Sequence, residues 1–105
     1  MTTTAEELTR IHDQIDAAAS AVSDDPAASP VLDAVVQELA RKSRKAMDAL
    51  PGADDQSLRA SILEVEQAAD SAKAAAEADA GPSDATRQAV LDAHLAICVL
   101  KANTA

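Results

Sequence analysis

The chain contains no Phe, Tyr or Trp, so the side chains that normally bury the largest areas are missing from any core it builds. The same absence removes base stacking on aromatic rings. Basic residues are scarce: 9 Lys and Arg stand against 18 Asp and Glu, a formal net charge of −9. Nucleic-acid-binding domains present basic surface to neutralise phosphates. No nucleic-acid partner is therefore expected, and an anionic membrane surface would repel the protein. A single cysteine, Cys98, leaves no internal disulfide. That fits a reducing compartment, and the expected location is the cytoplasm. The two glycines, Gly52 and Gly81, are too few for a loop that cradles phosphate. No run approaches the ~20 apolar residues that cross a bilayer, and the opening residues contain no apolar leader segment.

What the chain does have is Ala, Leu, Ile and Val at helical spacing. A length of 105 residues suits one domain, here 1–105. Thr4 and Glu7 predict a capping box for a first helix. Leu8, Ile11, Ile15, Ala18 and Val22 then keep one stripe by alternating steps of three and four. Ser29-Pro30 opens a second helix whose stripe is Leu32, Val35, Val36, Leu39, Ala46, Met47 and Leu50, with Ser43 small and polar near its centre. Pro51-Gly52 stops it. Asp54 or Asp55 caps a third helix striped by Leu58, Ile62, Val65, Ala69, Ala72 and Ala76, ending at Ala80-Gly81-Pro82. Ser83 caps a fourth, the most apolar, with Val90, Leu91, Leu95, Ile97, Cys98, Val99 and Leu100. Predicted helices span 5–23, 30–50, 55–80 and 84–101. No strand alternation and no internal repeat is evident. The predicted fold is all-α, an up-down-up-down antiparallel four-helix bundle with an Ala/Leu/Ile/Val core and no aromatics.

Few residues carry candidate chemistry. His94 and Cys98 stand four apart on the fourth helix and share a face. Stepping ~100° per residue from Val90 places both near the middle of the apolar stripe. Imidazole and thiol are ligands for zinc or copper; further ligands would come from Asp13, Asp16, Glu64, Asp70 or a second subunit. The competing reading makes Cys98 a small buried hydrophobe and His94 a hydrogen-bonded core histidine. The string His94-Leu95-Ala96-Ile97-Cys98-Val99 resembles the histidine-to-cysteine segment of the all-helical copper-sensing repressors. Those repressors need a cysteine on the preceding helix and a basic DNA surface. This chain has neither, and the family is not adopted.

His12 lies at the edge of the first stripe. A bundle of this size with such a histidine is similar to histidine phosphotransfer domains, whose motif places a lysine and a glycine soon after the histidine. Here Asp13-Gln14-Ile15-Asp16 follow, and their carboxylates would oppose a phosphohistidine. Arg41, Lys42, Arg44 and Lys45 form the one basic cluster, read as a solvated helix face. The paired acids Asp24-Asp25 and Asp54-Asp55 sit at helix ends, where capping explains them. Neither histidine has a glutamate three residues before it, so the di-iron bundle signature is missing.

No motif implies a cofactor, and no enzyme is expected. The remaining feature is apolar surplus: Leu63 falls off the third stripe, and Leu95, Val99 and Leu100 crowd the fourth helix beyond what one stripe needs. The expected function is a non-enzymatic protein–protein interaction or regulatory module, whose partner or second copy meets Leu63, Leu95, Val99 and Leu100. Two alternatives are a metal or redox sensor using His94 and Cys98, and a phosphotransfer-like module using His12.

Overall fold

In the computed structural model, which describes residues 3–104, four helices form in chain order: α1 (Thr4–Asp24), α2 (Pro30–Ala49), α3 (Asp55–Ala78) and α4 (Asp84–Asn103). No strand occurs among the described residues. Each helix begins where a side-chain oxygen satisfies an orphan backbone N–H. Ser29, Asp54 and Ser83 accept from Leu32, Ser57 and Thr86. The α1 capping box forms on Thr3 and Glu6, one residue before the expected Thr4 and Glu7. Thr3 and Thr4 each have a glutamate three residues on, so the pattern alone leaves the two registers equivalent.

Each helix packs against its chain neighbours, and α1 packs against α4, which closes a four-helix bundle. The cross-helix bonds give direction. Ser43 meets His12, and Gln37 donates to the Ala19 carbonyl, so α1 and α2 run oppositely. Lys101 donates to Glu66 while Arg87 donates to the Ala76 carbonyl, so α3 and α4 do the same. The core is aliphatic, and its two buried polar residues, Ser43 and Thr86, are both hydrogen-bonded. No helix is long and apolar enough to cross a membrane among the described residues.

The two helical hairpins close on the same device. Asp25, which caps α1, accepts the Ala27 N–H at 3.0 Å and the Ser83 N–H at 2.9 Å. Asp79, which caps α3, accepts the Gly81 N–H at 3.0 Å and the Ser29 N–H at 2.7 Å. Each turn thus caps the helix that follows the other turn. The amide of Ser83 does most to hold the Asp25 carboxyl below the usual carboxylate range, and that of Ser29 does the same for Asp79. Gly81 is required here because a Cβ would collide with the Ala27 carbonyl of the opposite turn.

Asp25 and Asp79 are 54 residues apart, as are Ser29 and Ser83. The same offset carries buried Leu8, Ile11, Ile15, Ala18 and Val22 onto buried Ile62, Val65, Ala69, Ala72 and Ala76. It also carries Leu32, Val36, Leu39, Ser43 and Ala46 onto Thr86, Val90, Ala93, Ile97 and Leu100, again all buried. This positional repeat corrects the expectation of none. It lives in burial and capping, and the matched side chains differ too much in size (Leu39 against Ala93, Val22 against Ala76) for the string of letters to display it.

Candidate functional site

Two features of α4 are left over once the core is accounted for. The first faces α3. Thr86, Val90, Ala93, Ile97 and Leu100 form the buried face of α4, which turns His94 and Cys98 to its flank, away from the expected stripe centre. An almost continuously apolar helix has no sequence-visible centre; Thr86 and Ala93 set it here. The His94 side chain retains 16% of its exposure and Cys98 is partly buried. Asp70 of α3 reaches across, its Oδ1 lying 2.7 Å from His94 Nε2. Cys98 Sγ lies 3.4 Å from the same nitrogen and 4.0 Å from Nδ1. One ligand atom from each of the three residues falls within 4.8 Å of the others.

Just beyond them Glu66, one turn before Asp70, accepts a hydrogen bond from Lys101 Nζ at 3.0 Å. The carboxylate holds the Lys101 ammonium above its ordinary value. Burial pushes the Cys98 thiol up, and the Glu66 and Asp70 carboxylates push it further. A thiol kept protonated is a poor nucleophile and a slow redox sensor. A cysteine–histidine relay also needs thiol and carboxylate on opposite ring nitrogens. Here both partners approach Nε2 most closely, so the three groups converge on one point instead of forming a chain.

The second feature faces α1. Leu95 and Val99, one turn apart, keep 62% and 51% of their exposure. They line a groove of about 720 Å³ between α1 and α4, floored by the buried Ile11 and Leu100 and flanked by Asp92 and by the paired Glu7 and Arg10. Leu100 is therefore core and not exposed surface, which corrects its place in the expected interface. It lies three residues from Ile97, on the inward face. Leu63 is 41% exposed but lines no part of this groove, so the four expected interface residues do not form one patch.

His12 donates to or accepts from Ser43 Oγ through Nδ1 at 2.7 Å, and its Nε2 lies 3.3 Å from Asp16. Both ring nitrogens are engaged, an arrangement that serves the α1–α2 contact and leaves no free nitrogen for phosphate. In the basic cluster, Lys42 and Lys45 pair with Glu64, and Arg41 with Glu38. Of the four candidate carboxylates it is Asp70 that stands beside His94 and Cys98, while Asp16 pairs with His12 and Glu64 with the lysines. The α1 wall of the groove, with Ile11 and Glu7, is the part that sequence reasoning missed, because no single-helix pattern reports which neighbour a flank will face. Compared with family models, with curated proteins and with solved structures, the chain finds no match.

Proposed function

We propose that the chain is a non-enzymatic docking module that receives an amphipathic, basic helix of a partner protein in the groove between α1 and α4. The observation that carries this reading is the exposure of Leu95 and Val99 side by side above an apolar floor. The positional repeat sharpens it. At the equivalent places on α2 stand Arg41 and Lys45, the residues a purely solvated helix face would use. Covering two half-exposed aliphatic side chains contributes roughly 2–4 kcal/mol before ordering costs, enough for a transient contact once helix and groove also bury the floor.

Charge selects the occupant. A net charge of −9 attracts a basic helix over the Debye length of about 8 Å and opposes a second copy of the same acidic chain. The reading sets the protein in a reducing cytoplasm, where its free thiol persists.

The test is a titration of the labelled protein with a designed Lys/Leu amphipathic helix and with a scrambled peptide of the same composition, mapped by amide chemical shifts. Saturable binding of the ordered peptide alone, with shifts centred on Ile11, Leu95 and Val99 and lost in Leu95→Asp/Val99→Asp, is the expected result. Equal binding of the scrambled peptide, or by the double variant, reduces the interaction to unspecific charge and overturns the reading. So does concentration-dependent dimerisation that the double variant abolishes, because a second copy would then be the occupant.

A further inference from the structure

We propose that Asp70, His94 and Cys98 form a three-ligand site for a borderline divalent transition metal, zinc first among them. The three donors come from two helices, and none depends on a loop. His94 and Cys98 are held one turn apart by α4, and Asp70 is brought opposite them by the α3–α4 packing. Tetrahedral zinc with bonds near 2.0–2.3 Å requires its N and S ligands about 3.5 Å apart and its N and O ligands about 3.4 Å apart. His94 Nε2 and Cys98 Sγ stand 3.4 Å apart. Asp70 Oδ1 and Nε2 stand 2.7 Å apart, so the carboxylate retreats by about 0.7 Å to admit the ion. Asp70 is exposed over 58% of its side chain and is free to make that movement.

The donor set chooses the metal. One imidazole, one thiolate and one carboxylate suit zinc and its borderline neighbours, and disfavour magnesium and calcium, which take oxygen ligands. Bound thiolate and carboxylate bring two negative charges, which balance the ion and leave the site neutral. On binding, the thiol proton leaves and Nε2 presents its lone pair, the remaining ring proton moving to Nδ1. Three protein ligands leave the fourth position to water or to a donor from outside the chain. Glu66 stays with Lys101 beside the site.

The packing of the bundle uses the His94–Asp70 bond but does not require the trio. In the matching hairpin, Asp16 stands where Asp70 does, but Ala40 and Arg44 take the places of His94 and Cys98. An alanine and an arginine therefore satisfy the same structural positions. Histidine and cysteine are departures, and they fall together, four residues apart, opposite an acid that both hairpins retain.

The experiment is Co²⁺ and Zn²⁺ titration of the full chain after chelator treatment, read by optical absorption with native mass spectrometry for stoichiometry. The expected result is one ion per chain and a thiolate-to-cobalt charge-transfer band with intense tetrahedral visible bands, both bleached by zinc. Cys98→Ser loses the charge-transfer band, and Asp70→Asn and His94→Gln weaken binding by about 100-fold or more, since even outer-shell losses cost 10–100-fold. Circular dichroism of the three variants separates ligand loss from misfolding. No charge-transfer band in the folded parent protein, or binding unchanged in folded Cys98→Ser, overturns the site. One ion per two chains overturns it as a single-chain centre. None of these outcomes bears on the groove between α1 and α4, so the two proposals fail separately.

Discussion

His12 and Ser43 provide the most exacting test of how this aromatic-free bundle is held together. Ser43 is fully buried, and among the described residues its hydroxyl has one partner, His12 Nδ1 at 2.7 Å. Removing the imidazole in His12→Ala strands a buried hydroxyl, which costs about 1–3 kcal/mol, and opens space against α2. Removing the hydroxyl in Ser43→Ala is milder, near 1 kcal/mol, because His12 lies at the bundle edge where water can reach its ring. Once either partner is gone, losing the other should matter less. The double variant is therefore expected to fall short of the summed single effects by about 1 kcal/mol, the signature of a shared bond. With no Trp or Tyr in the chain, far-ultraviolet circular dichroism during urea or thermal unfolding is the natural assay. At this size each kcal/mol shifts Tm by roughly 4–8 °C. Strict additivity would refute the reasoning. It would mean that the Ser43 hydroxyl turns to the carbonyl one helical turn back, an option open to any helical serine.

The crossed turns yield two more predictions. Gly81→Ala drives a Cβ into the Ala27 carbonyl; overpacking of this kind costs roughly 1–3 kcal/mol, and a Tm equal to that of the parent protein would show that the turns do not pack as described. Acid should also destabilise the bundle through Asp25 and Asp79, whose carboxyl groups are lowered in the folded state by backbone N–H bonds. A lowered folded value means stability that is complete above the unfolded value, about 3.9, and is lost as pH falls through the folded one. Urea midpoints should therefore drop below about pH 4, and an Asp25→Asn/Asp79→Asn protein should show a shallower drop over the same range; parallel curves would contradict the assignment.

How much of this was legible beforehand varies with the kind of information required. The α1 and α3 stripes were readable because Leu8, Ile11 and Ile15, or Ile62 and Val65, contrast with charged neighbours at helical spacing. Caps at Ser29 and Ser83 were readable because a single side chain bonding its own helix is a local event. On α4 the reading failed. Leu95, Val99 and Leu100 are indistinguishable by hydropathy, yet Leu100 is buried and the other two are exposed. The difference comes from the rotation of α4 about its axis, which α1 and α3 decide together. The pairing of His94 with Cys98 followed from spacing, whereas the choice of Asp70 among four carboxylates required the α3–α4 packing that sets it beside His94.

The positional repeat offers a way to separate what this chain needs for folding from what it carries in addition. Where the hairpins agree, the agreement has a structural cause: ten buried pairs, two crossed aspartates and two serine caps. Where they disagree, the first hairpin shows what the scaffold accepts. On α2 the outward positions are Arg41 and Lys45, and the flank carries Ala40 and Arg44. On α4 the same four places hold Leu95, Val99, His94 and Cys98, which exchange two cations for exposed aliphatics, and an alanine and an arginine for two candidate ligands. Exposed aliphatics lower solubility, and a half-buried thiol beside two carboxylates gains nothing from its neighbours. Apart from the His94–Asp70 bond, neither substitution is rewarded by the fold. Both lie on one helix, one toward α1 and one toward α3, so α4 is where the bundle departs from its own repeat and where its partner and its ion would meet it.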